Sequence, residues 1–120
     1  MLTPCLYINL ESRTDRNENV QKELKKLNIA GERFNAIKLD NGALGCTMSH
    51  IKCLEIAKER EYDSVFICED DIEFLDPAML QKQLEQFRNT IPDWEVCIVS
   101  GNNGPPFQPI NEACVRVYNC

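Results

Sequence analysis

Three consecutive carboxylates, Glu69, Asp70 and Asp71, follow an apolar run at residues 65–68. Three like charges directly behind an apolar strand repel one another, so they must be well solvated or share a cation. Side chains alternate along an extended chain, so Glu69 and Asp71 are predicted to point the same way. Two hard oxygen ligands in that arrangement suit Mg²⁺ or Mn²⁺ bound together with a substrate phosphate. The alternative is a charged loop before a helix, which further acidic residues downstream support.

A second group of polar residues lies at a glycine-rich turn before the helix predicted from residue 44 onward. It carries Gly45, Ser49 and His50. Glycine allows close approach of the backbone, and the free N–H groups of a helix start attract an anion. His50 is the single histidine of the chain. Its alternative role is that of a surface or capping residue.

A third group follows the first predicted strand, where Arg13 and Arg16 stand in a chain otherwise short of positive charge. Arginines at such a loop can contact a diphosphate or a nucleotide sugar. The alternative is a solvated first helical turn in which they pair locally with Asp15 and Glu11.

The apolar spacing predicts strands and helices that alternate along the chain. Strands are predicted at residues 4–10, 33–39, 64–68, 94–100 and 113–118, with a loop at residues 101–109. This alternation predicts an α/β fold built on a parallel sheet with right-handed crossovers. Ligands of such sheets lie at the carboxyl ends of the strands, which is where the three polar groups collect.

Three helices are predicted between these strands. The first has Thr14 or Asp15 as N-cap and Glu18 near the third position of a capping box. The third has Asp76 as N-cap with Pro77 at its first position, and it stops at residues 91–92. The apolar stripes are Val20, Leu24 and Leu27 on the first helix, Leu44, Met48, Ile51, Leu54 and Ala57 on the second, and Leu80, Leu84 and Phe87 on the third.

Length and composition limit the classes of function. With 120 residues the chain is expected to form one domain over residues 1–120. Its net charge of −6 argues against a nucleic-acid partner, and no apolar run is long enough for a membrane span. The seven cysteines are an odd number without a C-x-x-C pair, so we expect reduced, buried thiols in a reducing compartment, the cytoplasm.

Taken together, the three motifs resemble those of glycosyltransferase family 25, which includes lipooligosaccharide and procollagen galactosyltransferases. The resemblance is carried in order by YINLESRTDR at residues 7–16, GALGCTMSH at residues 42–50 and VFICEDD at residues 65–71. It implies an A-type glycosyltransferase fold, a Rossmann-like, mostly parallel sheet flanked by helices, truncated at its carboxyl end because family members continue past the equivalent of residue 120.

The resemblance also implies roles for individual residues. Contacts with the donor nucleotide sugar are implied for Asn9, Arg13, Gly45, Ser49 and His50. Glu69 and Asp71 would stand in the place of the family's D-x-D motif and hold Mn²⁺ or Mg²⁺, and Asp70 and Asp71 are the implied catalytic carboxylates, with contact of Asp70 to the ribose or sugar as an alternative.

The implied function is metal-dependent, inverting transfer of a hexose, galactose or glucose, from a uridine diphosphate (UDP) sugar. The acceptor would be a hydroxyl of a glycan or of a hydroxylysine-type side chain, as in lipopolysaccharide biosynthesis or collagen glycosylation. The alternative is a truncated or degenerate domain that binds a nucleotide sugar without transfer. A homo-oligomer covering an open sheet edge, and the secretory pathway for a longer chain, are further expectations. A phosphoacceptor receiver domain is disfavoured because Asn9 stands where its acidic pair belongs.

Overall fold

The computed structural model describes residues 2–100 and 104–119. The chain divides into two compact units, residues 1–75 and residues 76–120. The described elements, in chain order, are β1 (Cys5–Asn9), α1 (Thr14–Lys25), β2 (Gly31–Asn35), α2 (Gly42–Glu59), β3 (Phe66–Glu69), α3 (Pro77–Thr90), β4 (Gly104–Pro109) and β5 (Val115–Asn119).

The first unit contains a parallel sheet with the strand order β2, β1, β3. All five residues of β1 are buried, as expected for the central strand of a parallel sheet. Cys5 lies opposite Gly31 of β2 and Phe66 of β3, so the three carboxyl ends reach the same edge. The predicted α/β fold with a Rossmann-like parallel sheet flanked by helices is confirmed.

Alternate residues of β1 serve the two faces of the sheet. Leu6 and Ile8 pack with Cys53 of α2 in a buried apolar cluster. Tyr7 points to the other face, where its hydroxyl donates to Asn17 of α1 at 2.7 Å and accepts from Gln21 at 3.1 Å. The two-residue period of the strand therefore places one helix on each face.

Helix α1 keeps its predicted stripe, since Val20, Leu24 and Leu27 are buried. The predicted N-cap is wrong. The helix begins at Thr14, Arg13 occupies the cap position, and no side chain among the described residues caps the first turn. Asp15 instead lies within the first turn, where its carboxylate accepts two hydrogen bonds from the Arg13 guanidinium.

Helix α2 buries a different face from the one predicted. The apolar residues of the predicted stripe, except Ala57, are exposed: Leu44, Met48, Ile51 and Leu54. The buried face consists of small residues spaced four apart: Gly45, Ser49, Cys53 and Ala57. Small side chains let the helix approach the sheet closely, and that approach determines which face is buried.

Strand β2 begins and ends earlier than the predicted range of 33–39. Ala36 continues the ladder by donating its N–H to the Asn9 carbonyl at 3.0 Å. The next N–H, that of Ile37, donates instead to Ser49 Oγ at 2.9 Å. The chain thus leaves the sheet because a helix side chain takes over the backbone hydrogen bond.

In the second unit, helix α3 begins as predicted, with Asp76 accepting from the N–H of Met79 at 3.0 Å and Pro77 in the first turn. It ends at Thr90, before the predicted stop. Phe87 packs near Trp94, with ring centroids 6.0 Å apart.

The rest of the second unit departs from the prediction. Residues 94–100, predicted as a buried strand, form neither strand nor helix, and Val96 is 80% exposed. The predicted loop at residues 101–109 contains β4, which pairs antiparallel with β5. The final strand is present, but its partner is β4 rather than the parallel sheet. An apolar run needs a neighbouring strand to satisfy its backbone, and residues 94–100 have none in the described part of the chain.

The six described cysteines are free, and Cys120 lies outside the described residues. Cys5, Cys53 and Cys68 are buried, as predicted, whereas Cys46 is exposed. Among the described residues, we find no helix with the length and apolar character needed to cross a membrane.

Candidate functional site

Three segments supply the polar residues that converge in the first unit. Asn9 ends β1, Glu69 ends β3 and is followed by Asp70 and Asp71, and Cys46 lies in the first turns of α2. The parallel sheet brings Ile8 opposite Glu69, so the two strand ends are direct neighbours. The edge predicted to bind a ligand is therefore built from residues far apart in the chain.

Asn9 is buried, and its side chain joins the surrounding segments. Its Nδ2 donates to Asp70 Oδ2 at 2.8 Å and to the Arg13 carbonyl at 3.1 Å. Its Oδ1 accepts from Arg33 Nε at 2.8 Å, and Arg33 also donates to the Asn9 carbonyl at 3.0 Å. The polar atoms of the Asn9 side chain thus all have protein partners. Its predicted contact with a nucleotide stays a prediction.

The three carboxylates face different surroundings. Asp70 is buried against Asn9, with Arg16 Nη1 at 3.4 Å from its Oδ1. Glu69 and Asp71 are both exposed. A half-exposed ion pair contributes about 1 kcal/mol or less to stability. The hydrogen bond from Asn9 therefore fixes the position of Asp70 more strongly than Arg16 does.

Glu69 lies beside Cys46 and His50 of helix α2. Its Oε1 accepts from Cys46 Sγ at 3.0 Å, and His50 Nδ1 lies 3.8 Å from that sulfur. One ligand atom from each of these three residues lies within 4.8 Å of the other two. A thiol, an imidazole and a carboxylate that close are a possible ligand set for a metal ion.

The electrostatics of this cluster keep the thiol protonated. The hydrogen bond to Glu69, partial burial and the negative charges of Glu69 and Asp71 together raise the pKa of Cys46 to about 11. The negative charge of Asp71 therefore also acts on this sulfur. Both exposed carboxylates contribute negative charge at one place, which is favourable for a cation.

Gly45 and Ser49 lie on the buried side of α2 and hold the segment after β2. A Cβ on Gly45 would meet the Ile37 carbonyl oxygen at 2.7 Å. Ser49 Oγ accepts from the Ile37 N–H and donates to the Gly45 carbonyl, both at 2.9 Å. Their predicted contacts with a donor stay predictions, and the described contacts of both are with backbone.

The arginines of the first loop are partly exposed. Arg13 pairs with Asp15 at 2.9 Å, and this guanidinium lowers the pKa of Asp15 to about 2. Beside this loop, a cavity of about 470 Å³ opens at the ends of β1 and β2. Its lining residues are Leu10, Glu11, Ser12, Asn35, Ala36 and Lys38.

Comparison with known proteins decides the family. Residues 37–96, half of the chain, match the family described as Glycosyltransferase family 25 (LPS biosynthesis protein). The chain belongs to glycosyltransferase family 25. A Haemophilus influenzae protein with the description "Putative glycosyltransferase" is 32% identical over 98 residues. That alignment covers 81% of this chain and 34% of the relative, so the chain spans about a third of the relative's length. No solved structure matches the chain.

The family 25 match covers α2 and the carboxylates after β3 but not the first loop. Gly45, Ser49 and His50 therefore lie inside the matched range, and Asn9 and Arg13 lie outside it. The family description and the relative's description both name glycosyltransferases, so the chain is related to glycosyltransferases.

Two residues of this edge were missed by the sequence analysis. Arg33 was predicted as the first residue of the strand at 33–39, so no signal in the sequence placed it at the carboxyl edge. Cys46 was grouped with the buried thiols, although Cys46 and His50 stand four residues apart on a predicted helix. That spacing puts both on one helix face and could have identified them.

Proposed function

We propose that this family 25 chain supplies the donor side of a metal-dependent, inverting hexosyltransferase. The donor is a UDP-sugar, with galactose or glucose as the hexose, and the acceptor is a hydroxyl of a glycan or a hydroxylysine-type side chain. The observation that carries the proposal is the pair of exposed carboxylates, Glu69 and Asp71, at the carboxyl edge of the sheet. The free thiols favour a reducing compartment such as the cytoplasm.

The residues at this edge fit Mn²⁺ or Mg²⁺. Glu69 and Asp71 offer exposed carboxylate oxygens, and the negative charges of both raise the pKa of Cys46. Hard divalent cations prefer oxygen ligands of this kind and keep positions open for phosphate. When bound, such a cation would offset the charge that builds on the leaving diphosphate.

The chain's own residues would orient the donor around that position. Arg13 and Arg16 lie at the start of α1, where a guanidinium can bind a diphosphate oxygen, and His50 lies beside Glu69. Asp70 is a positioning residue, since it holds Asn9 and through it the Arg13 carbonyl. Asp71 is exposed and lies beside the proposed cation. We assign the catalytic role to its carboxylate, which would contact the reacting groups.

Thermal unfolding with UDP, UDP-galactose and UDP-glucose, each with and without Mn²⁺, tests the donor site. A ligand at a hundred times its Kd stabilises the folded chain by about 2.7 kcal/mol, and we expect this only with UDP compounds and Mn²⁺ together. Asp71→Asn should abolish the effect. The matched control is Asp63→Asn, an exposed aspartate before β3, which should retain it. Equal stabilisation by adenosine and guanosine diphosphate sugars would contradict the UDP assignment.

The second candidate is a nucleotide-sugar binding module without transfer. The observation that favours it is that Asp70, one of the two implied catalytic carboxylates, is buried and held by Asn9 and Arg16. Incubation with UDP-galactose, Mn²⁺ and simple glycan acceptors distinguishes the two. Donor-dependent stabilisation with neither transfer nor donor hydrolysis would support the module, whereas release of UDP supports the transferase.

A further inference from the structure

We propose that Cys46, His50 and Glu69 form a binding site for a divalent cation of the zinc class. This site shares Glu69 with the proposed Mn²⁺ position but takes its other ligands from helix α2. The inference does not depend on sugar transfer, because it rests on the side-chain cluster alone. Each of the three residues is exposed or half-exposed, so an ion can reach them from solvent.

The distances suit a small cation. Four-coordinate zinc has bonds of about 2.0–2.3 Å, so its ligand atoms lie roughly 3.3–3.8 Å apart. Cys46 Sγ lies 3.0 Å from Glu69 Oε1, and a ring nitrogen of His50 lies within 4.8 Å of both ligand atoms. Because all three side chains are exposed or half-exposed, their rotation would bring the three ligand atoms to bonding distance of one ion.

The backbone already orients the histidine. His50 Nδ1 lies 2.9 Å from the Cys46 carbonyl oxygen, and a carbonyl can only accept. Nδ1 must therefore carry the proton, which leaves a free lone pair on Nε2. Metal-binding histidines commonly donate their other ring N–H to a backbone carbonyl in this way.

The ligand types decide which cation is preferred. Binding would release the Cys46 thiol proton to solvent, and the resulting thiolate, with the imidazole, favours Zn²⁺ and Co²⁺ over Mg²⁺ and Mn²⁺, which prefer oxygen. Three protein ligands also leave a fourth position open, as in zinc sites that bind water or a substrate oxygen. The negative charge of Asp71 adds to the attraction for a cation without being one of the three ligands.

Titration of the reduced chain with Co²⁺ tests the site, because cobalt bound to a thiolate absorbs in the near ultraviolet. We expect one equivalent of Co²⁺ to produce this sulfur-to-cobalt band and Zn²⁺ to displace it. Cys46→Ser should remove the band, and His50→Gln should weaken cobalt binding by more than about tenfold while the thiol remains. The matched control is Cys97→Ser, a half-buried thiol outside the cluster, which should retain the band.

The outcomes separate this site from the proposed donor site. Asp71→Asn should keep the cobalt band even though it abolishes Mn²⁺-dependent stabilisation by UDP compounds. A band that survives Cys46→Ser, or cobalt binding that lacks a sulfur band, would overturn the zinc-class site. Circular dichroism of each variant shows that the fold is retained, so loss of the band reports on the ligands.

Discussion

Asn9 shows how one buried side chain can hold a polar edge together. It receives a hydrogen bond from Arg33 of β2, donates to Asp70 after β3 and donates to the Arg13 carbonyl before α1. An amide suits this position because it donates and accepts at the same time. A carboxylate there would face Asp70 with a like charge, whereas an apolar residue would leave Arg33 and Asp70 without this partner.

The first prediction concerns Asn9. Asn9→Ala should lower the free energy of unfolding by about 1–3 kcal/mol, since it leaves buried polar groups unsatisfied. The matched control is Asn35→Ala, which removes an exposed amide that accepts from Arg33 at 3.2 Å. The control should change stability by no more than about 0.5 kcal/mol. Urea unfolding measures both, and equal losses would contradict the role of Asn9.

At the scale of residues, the sequence distinguished Glu69 and Asp71 from Asp70, but it did not predict the surroundings of Asp70 and Cys46. The alternation of an extended chain was enough to separate Glu69 and Asp71 from Asp70. It could not predict the partners of Asp70, because Asn9 is 61 residues away in the chain. The exposure of Cys46 was not predicted either, since the buried face of α2 is decided by packing against the sheet.

Helix α2 lies so close to the segment after β2 at Gly45 that a larger residue would clash with the backbone. A Cβ there would meet two backbone atoms, the Ile37 carbonyl oxygen at 2.7 Å and the Leu39 nitrogen at 3.3 Å. Neither atom is the end of a flexible side chain, so the segment after β2 would have to move. At Gly42, one turn earlier, an added Cβ has no neighbour within 4 Å among the described residues.

The second prediction compares these two glycines. Gly45→Ala should lower the free energy of unfolding by about 1–3 kcal/mol, because the forced shift outweighs the gain in helix propensity. Gly42→Ala should leave stability unchanged or raise it by up to about 1 kcal/mol. Thermal unfolding of both variants makes the comparison. Stabilisation by both would show that the close approach at Gly45 carries no cost.

The third prediction concerns Glu23 of α1, which anchors the segment after β3. Its carboxylate accepts from Lys26 and from the Phe74 N–H at 2.8 Å. Lys26 first, and then that N–H, hold the pKa of Glu23 below its ordinary value of 4.5. A lowered pKa in the folded state stabilises above the ordinary value, and this contribution is lost as the pH falls through the lowered pKa.

Glu23→Gln should therefore be less stable than the natural chain at neutral pH. The difference should shrink as the pH falls below about 4.5, since a protonated Glu23 resembles glutamine. Unfolding temperatures measured across this range test the expectation. Glu18→Gln, an exposed change on the same helix, is the control and should follow the natural chain. A constant difference at every pH would contradict the assignment.

At the scale of elements, strong local signals were predicted correctly. The stripe of α1 and the Asp76 and Pro77 start of α3 are set by residues close in sequence. The face of α2 and the conformation of residues 94–100 depend on distant partners. Apolar residues can point to solvent when smaller ones fit the sheet better, and an apolar run is not a strand without a neighbour to pair with.

The two units differ in how much apolar surface each buries. The first contains the buried strand β1 and its apolar neighbours on both faces. In the described part of the second unit, Leu84 is the single buried hydrophobic residue, and Val96, Ile98, Phe107 and Val115 are exposed. Local stability follows buried apolar contacts, so the second unit should open more easily.

The fourth prediction uses the single tryptophan, Trp94, which lies in the second unit beside Phe87. Its fluorescence should change at a lower urea concentration than the far-ultraviolet circular dichroism, to which the first unit contributes two helices and three strands. Two probes that disagree show that unfolding is not two-state. Coincident transitions would contradict a separately unfolding second unit.

The central position of β1 in the sheet bears on how the chain acquires its edge during synthesis. The central strand β1 leaves the ribosome before both of its neighbours, and β3, the second of them, emerges about sixty residues later. Such distant pairing forms slowly because a long loop must close first. A nascent chain that stops short of Asp70 therefore exposes one side of β1 and leaves the Asn9 amide without its carboxylate. The polar edge of the sheet is therefore complete only after the segment that follows Cys68 has been translated.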